Sequence, residues 1–201
     1  MTLPHYILIV IWTVYYVLHS VLAATAVKAY FKEKFSLNRY YRLSYTLVVS
    51  ILLAFILWYQ YSFKSPLLWN IPMLKLPAVL LLILPGGLIM YISLKKYFVL
   101  LSGIRAVYEK SPVPELKING IHRYVRHPLY TGTIMVVWGF YFLFPHLNNL
   151  IAVILLTLYV IIGIRFEEKK LIVEFGTQYL DYKKRVPALV PGRFMNISKG
   201  K

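Results

Sequence analysis

The sequence contains no cysteine, and only seven of its 201 residues are acidic. The lack of cysteine excludes disulfides, thiolate metal sites and a cysteine nucleophile supplied by the protein. The shortage of acidic residues leaves 23 Lys and Arg and a formal net charge of +16, which in a soluble chain would favour a nucleic acid partner. Here the basic residues stand between long apolar blocks. Membrane topology and anionic lipid therefore explain the charge, and no nucleic acid partner is expected.

Long stretches of the chain lack charged residues, and 59% of the sequence is hydrophobic, which is typical of an integral membrane protein. Apolar blocks cover about residues 3–27, 44–63, 76–94 and 129–164. The last would form a helix about 55 Å long, against a hydrocarbon core of about 30 Å, so it must fold back on itself. Turn-forming residues occur in it only at 145–149. The sequence predicts an all-α membrane protein with about five transmembrane helices, the last two forming a hairpin.

The connections between these blocks predict the orientation of the chain. Lys and Arg are concentrated after the first and third blocks and at the C-terminus, so the positive-inside rule places the N-terminus outside and the C-terminus in the cytoplasm. After the hairpin, apolar residues recur at helical spacing from Leu171 to Val186, and Pro187 follows. This pattern predicts a cytoplasmic amphipathic helix. We expect a single domain over 1–201, with three spans in 1–100 and a loop, the hairpin and this helix in 101–201.

One irregularity interrupts the third block, where Pro85, Gly86 and Gly87 are adjacent. Proline removes a backbone donor and glycine permits close approach, so the sequence predicts a bend in this helix. The bend serves either helix packing, which we favour, or the wall of a cavity.

Polar residues mark both cytoplasmic ends of the predicted hairpin. Pro128 is tolerated only in the first turn of a helix, so a helix should begin there with free N–H groups that, together with Arg126 and His127, can hold an anion. The alternative is a boundary histidine and an arginine that only reaches toward water. At the other end, Glu167 and Glu168 need cationic partners near hydrocarbon. Those partners belong either to a ligand or to the protein, where Arg165, Lys169 and Arg126 are candidates.

A ligand that carries an ammonium, a carboxylate and an aromatic group would satisfy both ends of the hairpin. S-adenosylmethionine has these features, and His122, Tyr124 and Tyr130 offer flat surfaces for its adenine. His19, beside Ser20 in the first block, is a further site candidate because histidine is costly inside a span. Alternatively, His19 is simply solvated near the interface. The five histidines show no metal-ligand spacing, so no metal site is predicted.

Two segments resemble the signature motifs of membrane methyltransferases of the isoprenylcysteine carboxyl methyltransferase and phospholipid methyltransferase type. They are GIHRYVRHPLYTG and FEEKKLIVEFGTQYLDYKKRVPALVP. The resemblance implies that S-adenosylmethionine binds at the cytoplasmic end of the hairpin, under the C-terminal helix. The implied cofactor-binding residues are His122, Arg126, His127, Pro128, Leu129, Tyr130 and Glu167.

The substrate is indicated by a departure from this pattern. Enzymes of this type that methylate prenylcysteine carboxylates carry an arginine four residues before the position of Glu167, where this chain has Gly163. The segment GIRFEE and the first half of the chain look more like bacterial methanethiol S-methyltransferases and NnrU-type membrane proteins. The resemblance thus implies a multi-pass protein of the bacterial inner membrane that methylates a small thiol. A prenylcysteine carboxylate or a phospholipid amine is the alternative acceptor.

Methyl transfer to a thiol requires few catalytic groups, because the donor brings its own leaving group. Glu168 and His19 are candidates for a general base, and Arg165 for stabilising an incoming anion. Two other classes remain open: an NADPH-dependent reductase that shares the hairpin, against which Leu129 argues because its motif usually has asparagine there, and a non-catalytic NnrU-like protein. The expected partners are a small or lipophilic substrate and membrane lipid.

Overall fold

The computed structural model describes residues 1–24, 27, 29–30, 41–101, 116 and 118–192, without the side chains of 42 and 96–101. Nearly all regular structure in this part of the chain is helical. The basic residues predicted for the cytoplasmic connections at 28, 32, 34, 39, 105, 110 and 117 lie outside it. The long helices are α1 (Leu3–Ala23), α2 (Tyr41–Ser62), α3 (Leu84–Leu101), α4 (Pro128–Leu143), α5 (Leu147–Phe175) and α6 (Thr177–Arg185).

Four of the described helical segments are long and apolar enough to cross a membrane. They are α1, α2, the run Pro72–Lys95 that contains most of α3, and α5. The predicted turn of the hairpin is confirmed, because α4 ends at Leu143 and α5 begins at Leu147. With 16 residues, α4 is only about 24 Å long, shorter than the hydrocarbon core.

The predicted irregularity of the third segment takes the form of a π-turn. Val79–Ile83 has π-helical hydrogen bonding and leads directly into α3, so the wider turn lies just before Pro85, which cannot donate a backbone hydrogen bond. A Cβ added to Gly86 would lie 2.8 Å from Met135 Cβ and 2.9 Å from the Gly132 carbonyl oxygen. The absence of a side chain at Gly86 therefore allows α3 and α4 to approach closely, which agrees with the packing interpretation.

The remaining spans form a bundle in which α1 packs against α2 and α5. Its apolar centre is Leu8, Trp12, Ile56 and Ile151. Gln60 lies beside this centre, accepting a 3.0 Å hydrogen bond from Trp12 Nε1 and donating one of 2.9 Å to Asn149 Oδ1. Since unpaired polar groups are costly in an apolar interior, this chain of bonds fixes the three helices relative to one another.

The segment after the hairpin differs from the single amphipathic helix that the sequence predicts. Instead, α5 continues without interruption to Phe175, and Gly176 then takes a φ of 56°, a left-handed value that favours glycine. The shorter helix α6 follows and buries Tyr179 and Tyr182. The apolar spacing therefore runs across two helices, because the left-handed glycine changes the direction of the chain between them.

The two adjacent glycines of α3 provide a test of this packing. We expect Gly86→Ala to lower the free energy of unfolding by about 1 to 3 kcal/mol, because the new methyl group overlaps α4. Gly87→Ala is the matched control: its Cβ would have no neighbour within 4 Å, so its effect should stay within about 1 kcal/mol, favourable if anything. Thermal or denaturant unfolding in detergent measures both. Equal effects would contradict the close crossing of α3 and α4.

Candidate active site

The first turn of α4 forms one side of the site. Its first residue is Pro128, which confirms the predicted start of this helix. The Thr131 N–H bonds back to the His127 carbonyl at 3.0 Å, whereas no described group accepts a hydrogen bond from the N–H of Leu129 or Tyr130. Such free N–H groups, together with the helix dipole, favour an anion at this end of α4.

A buried ion pair joins the loop before α4 to α5. Arg126 donates two hydrogen bonds to Glu168 Oε1, from Nε at 2.8 Å and from Nη2 at 2.5 Å. Lys183 of α6 reaches the other carboxylate oxygen at 2.7 Å. Because both oxygens of Glu168 have cationic partners and its side chain is only 7% exposed, this carboxylate is fully engaged within the protein.

The same arginine also holds the end of α6. Arg126 Nη1 donates to the carbonyl oxygens of Lys183 and Val186, where the carbonyl end of a helix favours a positive charge. The backbone beyond α6 then pairs with the loop: His127 N–H donates to the Ala188 carbonyl oxygen at 3.1 Å. The loop before α4, α5 and α6 therefore meet at this one guanidinium group.

His127 lies between the two adjacent glutamates. Its Nε2 is 3.3 Å from Glu168 Oε1, and its Nδ1 is 3.8 Å from Glu167 Oε2. Glu167 Oε2 is buried without a hydrogen-bond partner, although the side chain as a whole is 45% exposed. A buried carboxylate oxygen with no donor is unfavourable unless a ligand supplies one. Glu167 is thus the carboxylate of the pair that remains available to a ligand.

Two tyrosines complete the surroundings of these carboxylates. The Tyr130 ring stacks on His127, with centroids 5.7 Å apart and planes 22° from parallel, and its hydroxyl interacts with the Glu167 carboxylate both electrostatically and through a side-chain hydrogen bond. Tyr179 of α6 is 1% exposed. Burial raises the pKa of the Tyr179 hydroxyl, and the neighbouring Glu168 carboxylate raises it further, so this hydroxyl stays protonated.

The other predicted site residues are arranged around or away from this cluster. His122 lies in the short turn Gly120–Arg123, with Nδ1 3.3 Å from the Arg126 carbonyl oxygen. Leu129 follows Pro128 in the first turn of α4 and is half-buried. Arg165 is exposed on α5. His19 lies in α1, where its Nδ1 is 2.8 Å from the Tyr159 hydroxyl of α5. Arg126, predicted as a ligand contact and also as a candidate partner of the glutamates, pairs with Glu168.

Sequence reasoning missed two residues of this region. Lys183 pairs with Glu168 from α6, and no local motif distinguishes it from the neighbouring basic residues. Tyr159 precedes Glu167 by eight residues on the same helix. Residues four apart lie near one face of a helix, so spacing from Glu167 through Gly163 to Tyr159 was a usable signal.

The arrangement suits a ligand with an amino-acid end. Glu167 offers a carboxylate for an ammonium group, and the start of α4 offers N–H groups for a carboxylate. The stacked Tyr130 ring supplies aromatic surface beside Glu167, and His122 supplies a second flat ring in the turn that precedes α4. The residues present therefore fit S-adenosylmethionine, and the unpartnered oxygen of Glu167 is the observation on which this fit depends.

The chain is also similar in sequence to known methyltransferases. A model of the phospholipid methyltransferase family matches residues 74–178. The chain is 31% identical over 183 residues to methanethiol S-methyltransferase of Crocosphaera subtropica, covering 86% of this chain and 69% of that protein. It is 29% identical to methanethiol S-methyltransferase 2 of Bradyrhizobium diazoefficiens, with 88% and 69% covered. Methanethiol S-methyltransferase of Mycobacterium tuberculosis is 26% identical, and the match covers 91% of this chain and 76% of that protein. No solved structure matches the chain.

The engagement of Glu168 predicts a large effect on stability. We expect Glu168→Gln to lower the free energy of unfolding by about 3 to 5 kcal/mol, because it leaves Arg126 buried without its counter-ion. The matched control is Asp181→Asn, which breaks the 3.2 Å contact with Lys184 between side chains that are 62% and 76% exposed. Its effect should be within about 0.5 kcal/mol. Unfolding in detergent gives both values, and similar losses would show that the buried pair is dispensable.

Proposed function

Because the chain belongs to the phospholipid methyltransferase family and is a methyltransferase, we propose that it transfers the methyl group of S-adenosylmethionine to a small thiol. The observation that carries the proposal is the buried, unpartnered oxygen of Glu167 opposite the free first turn of α4. A methyl donor with an amino-acid end provides the charges that both groups need. The names of the relatives supply the thiol.

Within this proposal, each group of the site has a separate task. Glu167 binds the ammonium of the donor, and the N–H groups of Leu129 and Tyr130 bind its carboxylate. His122 and Tyr130 contact its adenine. Arg126 and Glu168 hold the loop, α5 and α6 around these groups without contacting the ligand. When bound, S-adenosylmethionine supplies an electrophilic methyl group and a neutral leaving group, so the protein has only to bind, orient and exclude water.

The acceptor is a small thiol in this proposal because, among the described residues, no cationic side chain occupies the position at which a prenylcysteine enzyme binds the substrate carboxylate. Gly163 has no side chain, and a Cβ added there would meet nothing within 4 Å, so the position holds a gap where a prenylcysteine enzyme has an arginine. Arg165, the nearest arginine in α5, is exposed. The gap at Gly163 suits a small, uncharged acceptor.

We also propose that the protein lies in the bacterial inner membrane, with the N-terminus outside and the C-terminus in the cytoplasm. In this arrangement α4 crosses the membrane as well as the four longer segments, which gives five spans. Pro128 and Glu167 mark the two ends of the hairpin. Both ends then lie at the cytoplasmic side, where S-adenosylmethionine is made. Neighbouring helices α3 and α5 cover the short helix α4 on two sides, which lowers the cost of its limited length.

Calorimetry with purified protein tests the cofactor. We expect S-adenosylmethionine to bind and Glu167→Gln to weaken binding about 10- to 100-fold, equivalent to roughly 1.5 to 3 kcal/mol for a lost hydrogen bond to a charged group. Unfolding of Glu167→Gln without ligand should change far less than that of Glu168→Gln, because Oε2 has no hydrogen-bond partner to lose and glutamine can still accept from the Tyr130 hydroxyl. An unchanged affinity would remove Glu167 from the cofactor site.

The acceptor and the reaction class need separate measurements. Incubation with labelled S-adenosylmethionine and a small alkanethiol should yield the labelled methyl thioether, while a prenylcysteine analogue and phosphatidylethanolamine should stay unlabelled. NADPH is the control ligand in calorimetry. Binding of NADPH without binding of S-adenosylmethionine would overturn the proposed function.

A further inference from the structure

A line of residues leads from the candidate cofactor site into the membrane-spanning part of α5. Glu167, Gly163 and Tyr159 are spaced by four residues, so they lie near one face of the helix, and Tyr159 is about 12 Å along the axis from Glu167. A Cβ added to Gly163 would have no neighbour within 4 Å. Open space therefore lies between the carboxylate of Glu167 and the hydroxyl-bearing ring of Tyr159.

Tyr159 is held by α1. Its hydroxyl lies 2.8 Å from His19 Nδ1, and its ring stacks on Tyr16 with centroids 4.4 Å apart and planes 12° from parallel. Among the described residues, no group forms a hydrogen bond with His19 Nε2. The Ser20 hydroxyl donates a longer hydrogen bond, of 3.4 Å, to the same Tyr159 oxygen, and the stacking on Tyr16 fixes the ring.

The His19 and Tyr159 pair is continuous with the cofactor site. The Tyr130 hydroxyl, which lies beside Glu167, is also close enough to Tyr159 for the two side chains to interact electrostatically. An acceptor placed beside Gly163 would then have the cofactor site on one side and Tyr159 on the other. This is the position from which a nucleophile could approach the donor.

We propose that Tyr159 and His19 form a proton relay that ionises the acceptor thiol in the space beside Gly163. The proposal rests on the proposed function, since it assigns how that reaction's nucleophile is made. A thiol attacks as its thiolate, and a base within hydrogen-bond reach can remove its proton. Tyr159 contacts the thiol, and His19 receives the proton through it.

The proposed relay transfers two protons before the methyl group moves. The thiol S–H bond breaks and its proton bonds to the Tyr159 oxygen, while the original Tyr159 O–H bond breaks and its proton bonds to His19 Nδ1. The sulfur keeps the electron pair and uses it to form a bond to the methyl carbon, as the carbon–sulfur bond of the donor breaks and leaves its electron pair on the donor sulfur. The imidazolium then releases its proton to water.

His19 is placed to carry this charge briefly. It lies about one turn before Ala23, where α1 ends, and the carbonyl end of a helix favours a cation. The Tyr45 hydroxyl donates to the His19 carbonyl oxygen at 3.4 Å, and the Tyr15 and Tyr45 rings pack beside the imidazole. The alternative is that the pair only ties α1 to α5, a role that would be indifferent to the acidity of the acceptor.

Acceptor acidity therefore provides the test. We expect Tyr159→Phe, which keeps the stacked ring, to lower kcat/KM about 100-fold or more for an alkanethiol, and to lower it much less for a more acidic aromatic thiol, which loses its proton with less help. His19→Gln should show the same selective loss. Tyr16→Phe is the matched control, because it removes a buried hydroxyl without a partner from the same stack, and it should leave both rates unchanged.

Two further measurements separate the possible failures. Calorimetric affinity for S-adenosylmethionine and the unfolding midpoint should be the same in Tyr159→Phe and in the wild type. Equal losses with both thiols, or no loss with either, would overturn the relay while leaving the proposed function standing. If the wild-type protein methylated neither thiol, both proposals would fail.

Discussion

The fold at the polar end of the hairpin depends on one requirement: a carboxylate that α5 carries out of an apolar bundle must not remain unpaired. Glu168 meets it through Arg126 and Lys183, which come from the loop before α4 and from α6. The ion pair, with the α6 carbonyl groups that Arg126 also binds, therefore determines where the polar segments lie over the hairpin. Their arrangement then creates the site.

The two adjacent glutamates illustrate how helix geometry divides tasks. Successive residues on a helix point about 100° apart, so Glu168 faces Arg126 while Glu167 turns toward Tyr130. Arg126 and Lys183 both form their ion pair with Glu168, and neither pairs with Glu167. The structural pair thereby leaves its neighbour free for a cationic ligand. The buried His127 ring lies between the two carboxylates, with one ring nitrogen near Glu167 and the other near Glu168.

The parts of the molecule that follow from local sequence were predictable. The long apolar block requires a turn, Pro128 requires a helix start, and both occur where the sequence predicts them. Contacts between distant segments were not predictable. Both glutamates were equally good partners for Arg126 by spacing, and only the rotation of α5 against the loop selects Glu168. Likewise, His19 and Tyr159 are 140 residues apart, so their pairing depends on the register of α1 along α5, which composition does not encode. The break at Gly176 depends on a backbone conformation that many glycines do not adopt.

The location of the proposed relay follows from the physical state of its substrate. A neutral thiol can enter an apolar site, whereas a thiolate would have to give up its hydration, at a cost that usually keeps such a group protonated. An acceptor that reaches Gly163 through apolar surroundings therefore arrives with its proton. The base must then lie within the membrane-spanning part of the protein, next to the acceptor and apart from the Glu167 carboxylate that binds the donor. Tyr159 and His19 are in this position, about two helical turns deeper along α5 than Glu167.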